Sequence, residues 1–325
     1  MTEGIFSYRR RVGFGECDSA RIYFAPHAID YAVEAVESWY ESVLGVSWVA
    51  MVDRHGLEAT IEHIECEYKR PLVADQMFQV RVRVVRIGPS QITFSAAGEG
   101  DSGDTYFRVR LVASFLLRNH GIPIRIPPEF LDRIGMYRER CGEVGTLPDD
   151  DDPPDNVPTR PMGGAGRERT RQLHPLQSRP TGAVPFARQR RVHYGACGPS
   201  GKIYPPKVFE FVVETVGEWF VEVPGISWLE LTAKRGQGSP IVSAACEYFL
   251  PMTPGQMITI VVRVPRLGRA SIGYEVAGYD ADGEPCFESQ LTSCFIDQNT
   301  GFRPMPIPEE FRRRIQAYRA ASGDA

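Results

Sequence analysis

The chain repeats itself. "VGFGEC", from Val12, returns as "VHYGAC", from Val192; "GVSW", from Gly45, returns as "GISW", from Gly225; and "CEY", from Cys66, recurs unchanged from Cys246. "DQM", ending at Met77, answers "GQM", ending at Met257, and the copies close on "IPPEFLDRIGMYR" and "IPEEFRRRIQAYR". The offset stays at 180 or 181 residues throughout. A period this long predicts two duplicated domains and excludes a solenoid of short units. The 325 residues are enough for each copy to bury its own core. We therefore divide the chain into a first domain over 1–140, a linker over 141–185 and a second domain over 186–325. The linker contains "LPDDDDPPDNVPTRPMGGAGRERTR", whose aspartates repel one another and whose prolines block regular structure. It is expected to be a disordered tether that lets the halves pack side by side.

Within each copy the order of elements is the same. A short strand over 5–14 leads to a loop, and a helix follows over 27–44. Ala28, Tyr31, Ala32, Ala35, Trp39 and Val43 keep helical spacing, while Glu34, Glu37 and Glu41 fall on another face. Pro26 suits a first turn, and Gly45 supplies a stop. Alternating segments then follow at 57–70, 77–87, 91–99 and 105–118, of which "MFQVRVRVVRI" is the clearest period-two strand. The second copy repeats this, with its helix over 207–223. The pattern predicts an α+β fold in which an antiparallel sheet curls around one long helix. The open side of each sheet needs a partner, and the second copy can supply it, giving an intramolecular pseudo-dimer.

Composition narrows the function. A formal charge of −4 offers no basic field for nucleic acid, and no apolar run approaches the length of a membrane span. The first residues lack the apolar stretch of a secretory signal, so a cytoplasmic location is expected. Seven cysteines without C-x-x-C spacing suggest buried thiols, neither a disulfide framework nor a zinc site. The six histidines form no ligand pattern, so no metal and no cofactor are expected. Neither a G-x-x-x-x-G-K-[ST] phosphate loop nor the G-x-S-x-G elbow of a serine hydrolase occurs.

The informative segment is "GECDSARIYFAPH", Gly15 to His27. It places Asp18 in a loop just ahead of a helix start, where outward-facing N–H groups favour negative charge. A thioester carbonyl seated near the Ala25 N–H would have its developing oxyanion held there, with a carboxylate free to attack it or to activate water. The second copy reads "GACGPSGKIYPPK", with Gly198 in place of the acid, Ala196 in place of Glu16 and, aligned on its isoleucine, one inserted residue before Ile203. A glycine can be neither base nor nucleophile, so the second copy is expected to serve as the partner wall of a single site.

"FGECDSARIYFAPH", together with the following helix, "GVSW" and "ECEYKRP", resembles the 4-hydroxybenzoyl-CoA thioesterase family of hotdog-fold enzymes, in a tandem arrangement. The resemblance spans both copies and excludes the linker. It implies hydrolysis of an acyl- or aroyl-CoA or acyl-carrier-protein thioester, with Asp18 as catalytic carboxylate and the Ala25 N–H as oxyanion donor. Glu16 matches the first acid of the family signature, without an assigned role. Tyr23, Phe24 and His27 become acyl-pocket candidates, and Glu34, Glu37, Glu214 and Glu218 auxiliary carboxylates on the two helices. The phosphates of CoA call for a basic rim, for which Lys69, Arg70, Arg86 and Arg118 are candidates, with Arg263, Arg266 and Arg269 in the second copy. Further assembly of pseudo-dimers into a homo-oligomer is left open. "APHAID" also invites comparison with hotdog enoyl-thioester hydratases through His27, although the spacing differs. A non-catalytic acyl-binding or assembly module is the other alternative.

Overall fold

The computed structural model describes residues 4–118, 120–141 and 185–324; apart from its two end residues, the expected linker lies outside the described residues. In the first half β1 (Phe6–Arg11) passes through a 3-10 turn at Phe14–Glu16 and an irregular loop into α1 (His27–Trp39). The helix continues as a π-helical turn over Tyr40–Leu44 and stops at Gly45, whose φ of 70° is left-handed. Next come α2 (Trp48–His55), β2 (Leu57–Tyr68), β3 (Met77–Ile87), β4 (Gln91–Glu99), β5 (Thr105–Leu117), the two-residue β6 (Ile122–Pro123) and α3 (Pro128–Arg140). The second half runs β7 (Phe186–Arg191), α4 (Pro205–Glu222), α5 (Trp228–Arg235), β8 (Gln237–Gly238), β9 (Ile241–Tyr248), β10 (Met257–Leu267) and β11 (Ser271–Tyr279). It closes with β12 (Pro285–Cys294), β13 (Ile296–Asp297), β14 (Arg303–Pro304) and α6 (Glu309–Ser322).

Alternation puts Phe78, Val80, Val82 and Val84 of β3 in the core, while the intervening arginines point away. The long helix answers with Trp39, whose ring meets Phe94 at 4.9 Å and Tyr137 of α3 at 5.4 Å, both edge-on. Trp219 repeats this against Tyr274 and Tyr318, at 5.5 and 5.7 Å. Each sheet thus wraps its own helix, as expected. The two sheets then join into one, in the order β1-β3-β4-β5-β2-β9-β12-β11-β10-β7. The seam is antiparallel, with Ile64 opposite Cys246 and Cys66 opposite Ala244. The pseudo-dimer is therefore a single open sheet with two long helices and four shorter ones packed against it.

Three features depart from the sequence reading. Short α2 and α5, and the terminal α3 and α6, were not expected; Ser47 and Ser227 cap the first two, accepting the Ala50 and Glu230 N–H groups at 3.1 and 3.2 Å. More consequentially, β9 is not the copy of β2. Pro240 stands where β2 has Thr60, and a proline cannot donate to a ladder. The two residues of β8 pair instead with β13, which pairs with β14, forming a small separate sheet.

The inserted residue expected before Ile203 is absent. Cys17 bridges Tyr23 and Cys197 bridges Ile203, while the Asp18 N–H bonds Ile22 O and the Gly198 N–H bonds Lys202 O, each at 2.9 Å. The loops superpose residue for residue. Lys202 therefore replaces Ile22, Tyr204 replaces Phe24 and Pro205 replaces Ala25.

Candidate active site

The loop that carries Asp18 is shaped by its own side chains. Asp18 Oδ1 accepts the Ala20 N–H at 2.8 Å, and its carbonyl takes the Arg21 N–H at 3.0 Å, with Arg21 in the left-handed region at φ 65°. The chain then crosses back: the Tyr23 N–H reaches Leu72 O at 2.9 Å and the Phe24 N–H reaches Glu16 O at 2.8 Å. Glu16 anchors the base of the loop. Its Oε2 accepts the Gly13 N–H at 2.6 Å and the Tyr31 hydroxyl at 3.0 Å, and Arg10 binds it together with Glu34. Burial opposes the charged form of Glu16, yet the Gly13 N–H and the Arg10 guanidinium outweigh it and hold the carboxyl below its usual range. Glu16 is thus a structural anchor for the acid two residues on.

Asp18 sits at the solvent edge of a cavity of about 430 Å³ between the halves. Crowding by its neighbours pushes its carboxyl above the usual value, against the opposing pull of the Ala20 and Ile22 N–H groups. Ala25 borders the same cavity. Its carbonyl takes the Ala28 N–H at 3.2 Å and the Tyr68 hydroxyl at 3.0 Å, whereas its N–H donates to no other described residue. Asp18 and Ala25, whose N–H meets no acceptor among the described residues, thus line one space just ahead of the first turn of α1. The far wall comes from the second half: Val213 of α4, Trp228 and Leu231 of α5, Pro240, Ile296 of β13 and Phe302. These wall residues escaped the sequence reading. The available signal was Pro240, a proline interrupting an otherwise strand-like run.

Of the other candidates, Tyr23, Phe24, Lys69 and Arg70 also line the cavity. Lys69 lies 2.6 Å from Glu67, and Arg70 pairs with Asp104, so neither cation is unbalanced. His27 is not among the lining residues. Its Nδ1 is 2.9 Å from Asp30 Oδ2, and its ring lies parallel to that of Tyr31. Nor do Glu34, Glu37, Glu214 and Glu218 reach the cavity: Arg10 holds Glu34, Arg188 and Arg190 hold Glu218, and Glu214 faces solvent. Burial pushes the Glu37 carboxyl up, although the Tyr204 hydroxyl beside it acts in the other direction. Arg86 and Arg118 lie outside the lining, Arg118 being 3.8 Å from Asp53. In the second copy Arg263 is tied to Asp324 at 2.7 Å and Arg266 to Thr292 at 3.1 Å; Arg269 also lies outside the lining.

The pseudo-equivalent loop offers neither of these two groups. Gly198 supplies no carboxylate, and Pro205, at the place of Ala25, has no N–H at all.

Comparison with known proteins gives a consistent picture. Residues 206–315 match the family model described as "Thioesterase-like superfamily". A protein of Aquifex aeolicus (strain VF5), described as a candidate esterase, is 36% identical over 90 residues, which span 28% of this chain and 69% of that protein. Among solved structures, a candidate oleoyl thioesterase from Lactobacillus plantarum aligns with a TM-score of 0.66 at 16% identity, covering 93% of this chain and 97% of that one. The 12:0-ACP thioesterase from Umbellularia californica gives 0.66 at 13% identity, covering 90% and 95%. At these identities the two structures share the fold, in its tandem form.

Proposed function

Because the chain belongs to the thioesterase-like, hotdog-fold superfamily, we propose that it hydrolyses the thioester of an acyl- or aroyl-CoA or of an acyl-carrier protein. The observation that supports this reading is that Asp18 and Ala25, whose N–H meets no acceptor among the described residues, line one largely apolar cavity. The acyl group lies against the second-half wall, with its carbonyl oxygen on the Ala25 N–H. Asp18 then either attacks the carbonyl carbon or takes a proton from a water that does so. A new C–O bond forms, the C–S bond breaks, and the thiolate leaves and is protonated. The N–H holds the oxyanion that develops between these events, a kind of contact worth a few kcal/mol to a transition state. On the nucleophile route a mixed anhydride of Asp18 forms and is hydrolysed in a second step.

The test is release of free thiol from a panel of aryl- and fatty-acyl-CoA esters and acyl-carrier-protein thioesters. Asp18→Asn keeps the side-chain shape and the oxygen that accepts from Ala20, so a specific loss is expected. The turnover number should fall by about 10²-fold or more, with KM little changed. Unchanged turnover in Asp18→Asn would remove the carboxylate from the mechanism. Hydration of an enoyl thioester without thiol release would instead favour the hydratase alternative, which the place of His27 outside the cavity lining does not support.

A further inference from the structure

The two halves place pseudo-equivalent strands and loops around Asp18 and around Gly198, yet the residues there are not alike. At the Asp18 cavity the paired positions hold Ile22 and Gly238, and β8 is split from β9 by Pro240. On the other side the same positions hold Lys202 and Glu58, and β2 runs unbroken through Thr60. Glu58 is 7% exposed, and Lys202 Nζ, reaching over from the other half, donates to both its carboxylate oxygens, at 2.9 and 2.8 Å. Val242 and Cys294 of the open cavity have Glu62 and Ser114 as counterparts, and Glu62 Oε2 accepts from Gln91 Nε2 at 2.6 Å. Around Asp18 these positions are apolar and line a cavity; around Gly198 they are polar and tied up in hydrogen bonds.

With Glu58 enclosed and the Lys202 side chain 28% exposed, this largely buried ion pair is a poor way to gain stability, because the water removed from the charges offsets much of their attraction. An apolar pair at these positions would pack as well. We propose that the cleft beneath the Gly198–Pro205 loop is a second acyl-chain site, closed by the Lys202–Glu58 pair. This rests on the reading of the Asp18 cavity as an acyl site. The closed cleft offers neither carboxylate nor N–H at the reacting position, so an acyl chain admitted there would be held without being cleaved. Closure confines each chain to one ligand, bound where it can react.

The experiment counts ligands. S-dodecyl-CoA, a thioether that cannot be hydrolysed, is titrated calorimetrically into wild type and into the double variant Lys202→Ile/Glu58→Gly. The expected stoichiometry rises from one per chain to two, with thiol release from acyl-CoA unchanged. Should glycine in the middle of β2 unfold the strand, Lys202→Ala/Glu58→Ala serves as the second opener. Lys202→Met/Glu58→Leu removes the charges but keeps the volume, and should stay at one. The gain between wild type and opened variant decides the matter. No gain in a folded opener, or a stoichiometry of two in wild type, overturns the proposal. Failure of wild type to bind at all counts against the acyl-thioester reading, while a gain from zero to one in the opener still supports the closed cleft.

Discussion

Asp18, the proposed catalytic acid, carries an electrostatic handicap. Its carboxyl is raised by crowding at the cavity edge, so between the ordinary carboxylate value, about 3.9, and the raised one the folded chain binds more protons there than the unfolded chain does. Stability then falls as pH climbs through that window and stays lower above it. Asp18→Asn, which has no charge to desolvate, should melt above wild type at pH 7, and the difference should close as pH drops below about 4. The acidic limb of the pH–rate profile should lie above the ordinary carboxylate range for the same reason, since only the ionised acid can act as base or nucleophile. A melting temperature that falls in Asp18→Asn at neutral pH would mean that the charge is a structural asset. Glu16, two residues earlier, is the opposite kind of acid: its Gly13 and Arg10 contacts favour ionisation.

Among the elements, the starts of the two long helices decide more than their bodies. α1 follows Ala25–Pro26 and keeps a free N–H at its threshold, whereas α4 opens on Pro205–Pro206 and has none. Proline is well suited to a first helical turn, so the change costs the helix nothing while deleting the donor. Gly198→Asp should therefore add no thiol release in an Asp18→Asn background, because the restored acid faces no oxyanion donor. Measurable turnover in Asp18→Asn/Gly198→Asp would show that Pro205 is not limiting. The long helices and β3 were legible in the sequence because burial on one face writes a period of 3.6 or 2 into it. The loop register was not. The isoleucines of "ARIYF" and "GKIYP" invite alignment on identity, while backbone hydrogen bonds hold Lys202, not Ile203, at the position of Ile22. Asp18 and Ala25 were legible as candidates from the motif. The wall formed by Trp228, Pro240 and Phe302 was not, since it arises only when the second half is laid against the first.

At the level of the whole molecule, the two halves are not separate bodies joined by a tether. Buried residues from Val12 to Ile315 form one core cluster that runs through both, and β2 and β9 hydrogen-bond across the seam. Opening one half exposes the seam face of the other. Native-state hydrogen exchange in rising denaturant should therefore bring the slowest amides of β3 and of β10 to a common opening free energy. Two well-separated values would show that the halves unfold independently and that the seam contributes little.

The same continuous sheet has two rims, β1 and β7, and never closes on itself. A rim offers unpaired backbone groups to any further strand, which is how sheets polymerise. Both rims here are six residues long and each carries three arginines, Arg9, Arg10 and Arg11 on one and Arg188, Arg190 and Arg191 on the other. Most of these arginines are ion-paired with nearby acids, such as Arg9 with Asp101, Arg11 with Asp75 and Arg190 with Glu218, so each rim presents charged side chains rather than an apolar edge. Short length and charged, ion-paired side chains at both rims resist growth by strand addition, and a sheet without closure still ends.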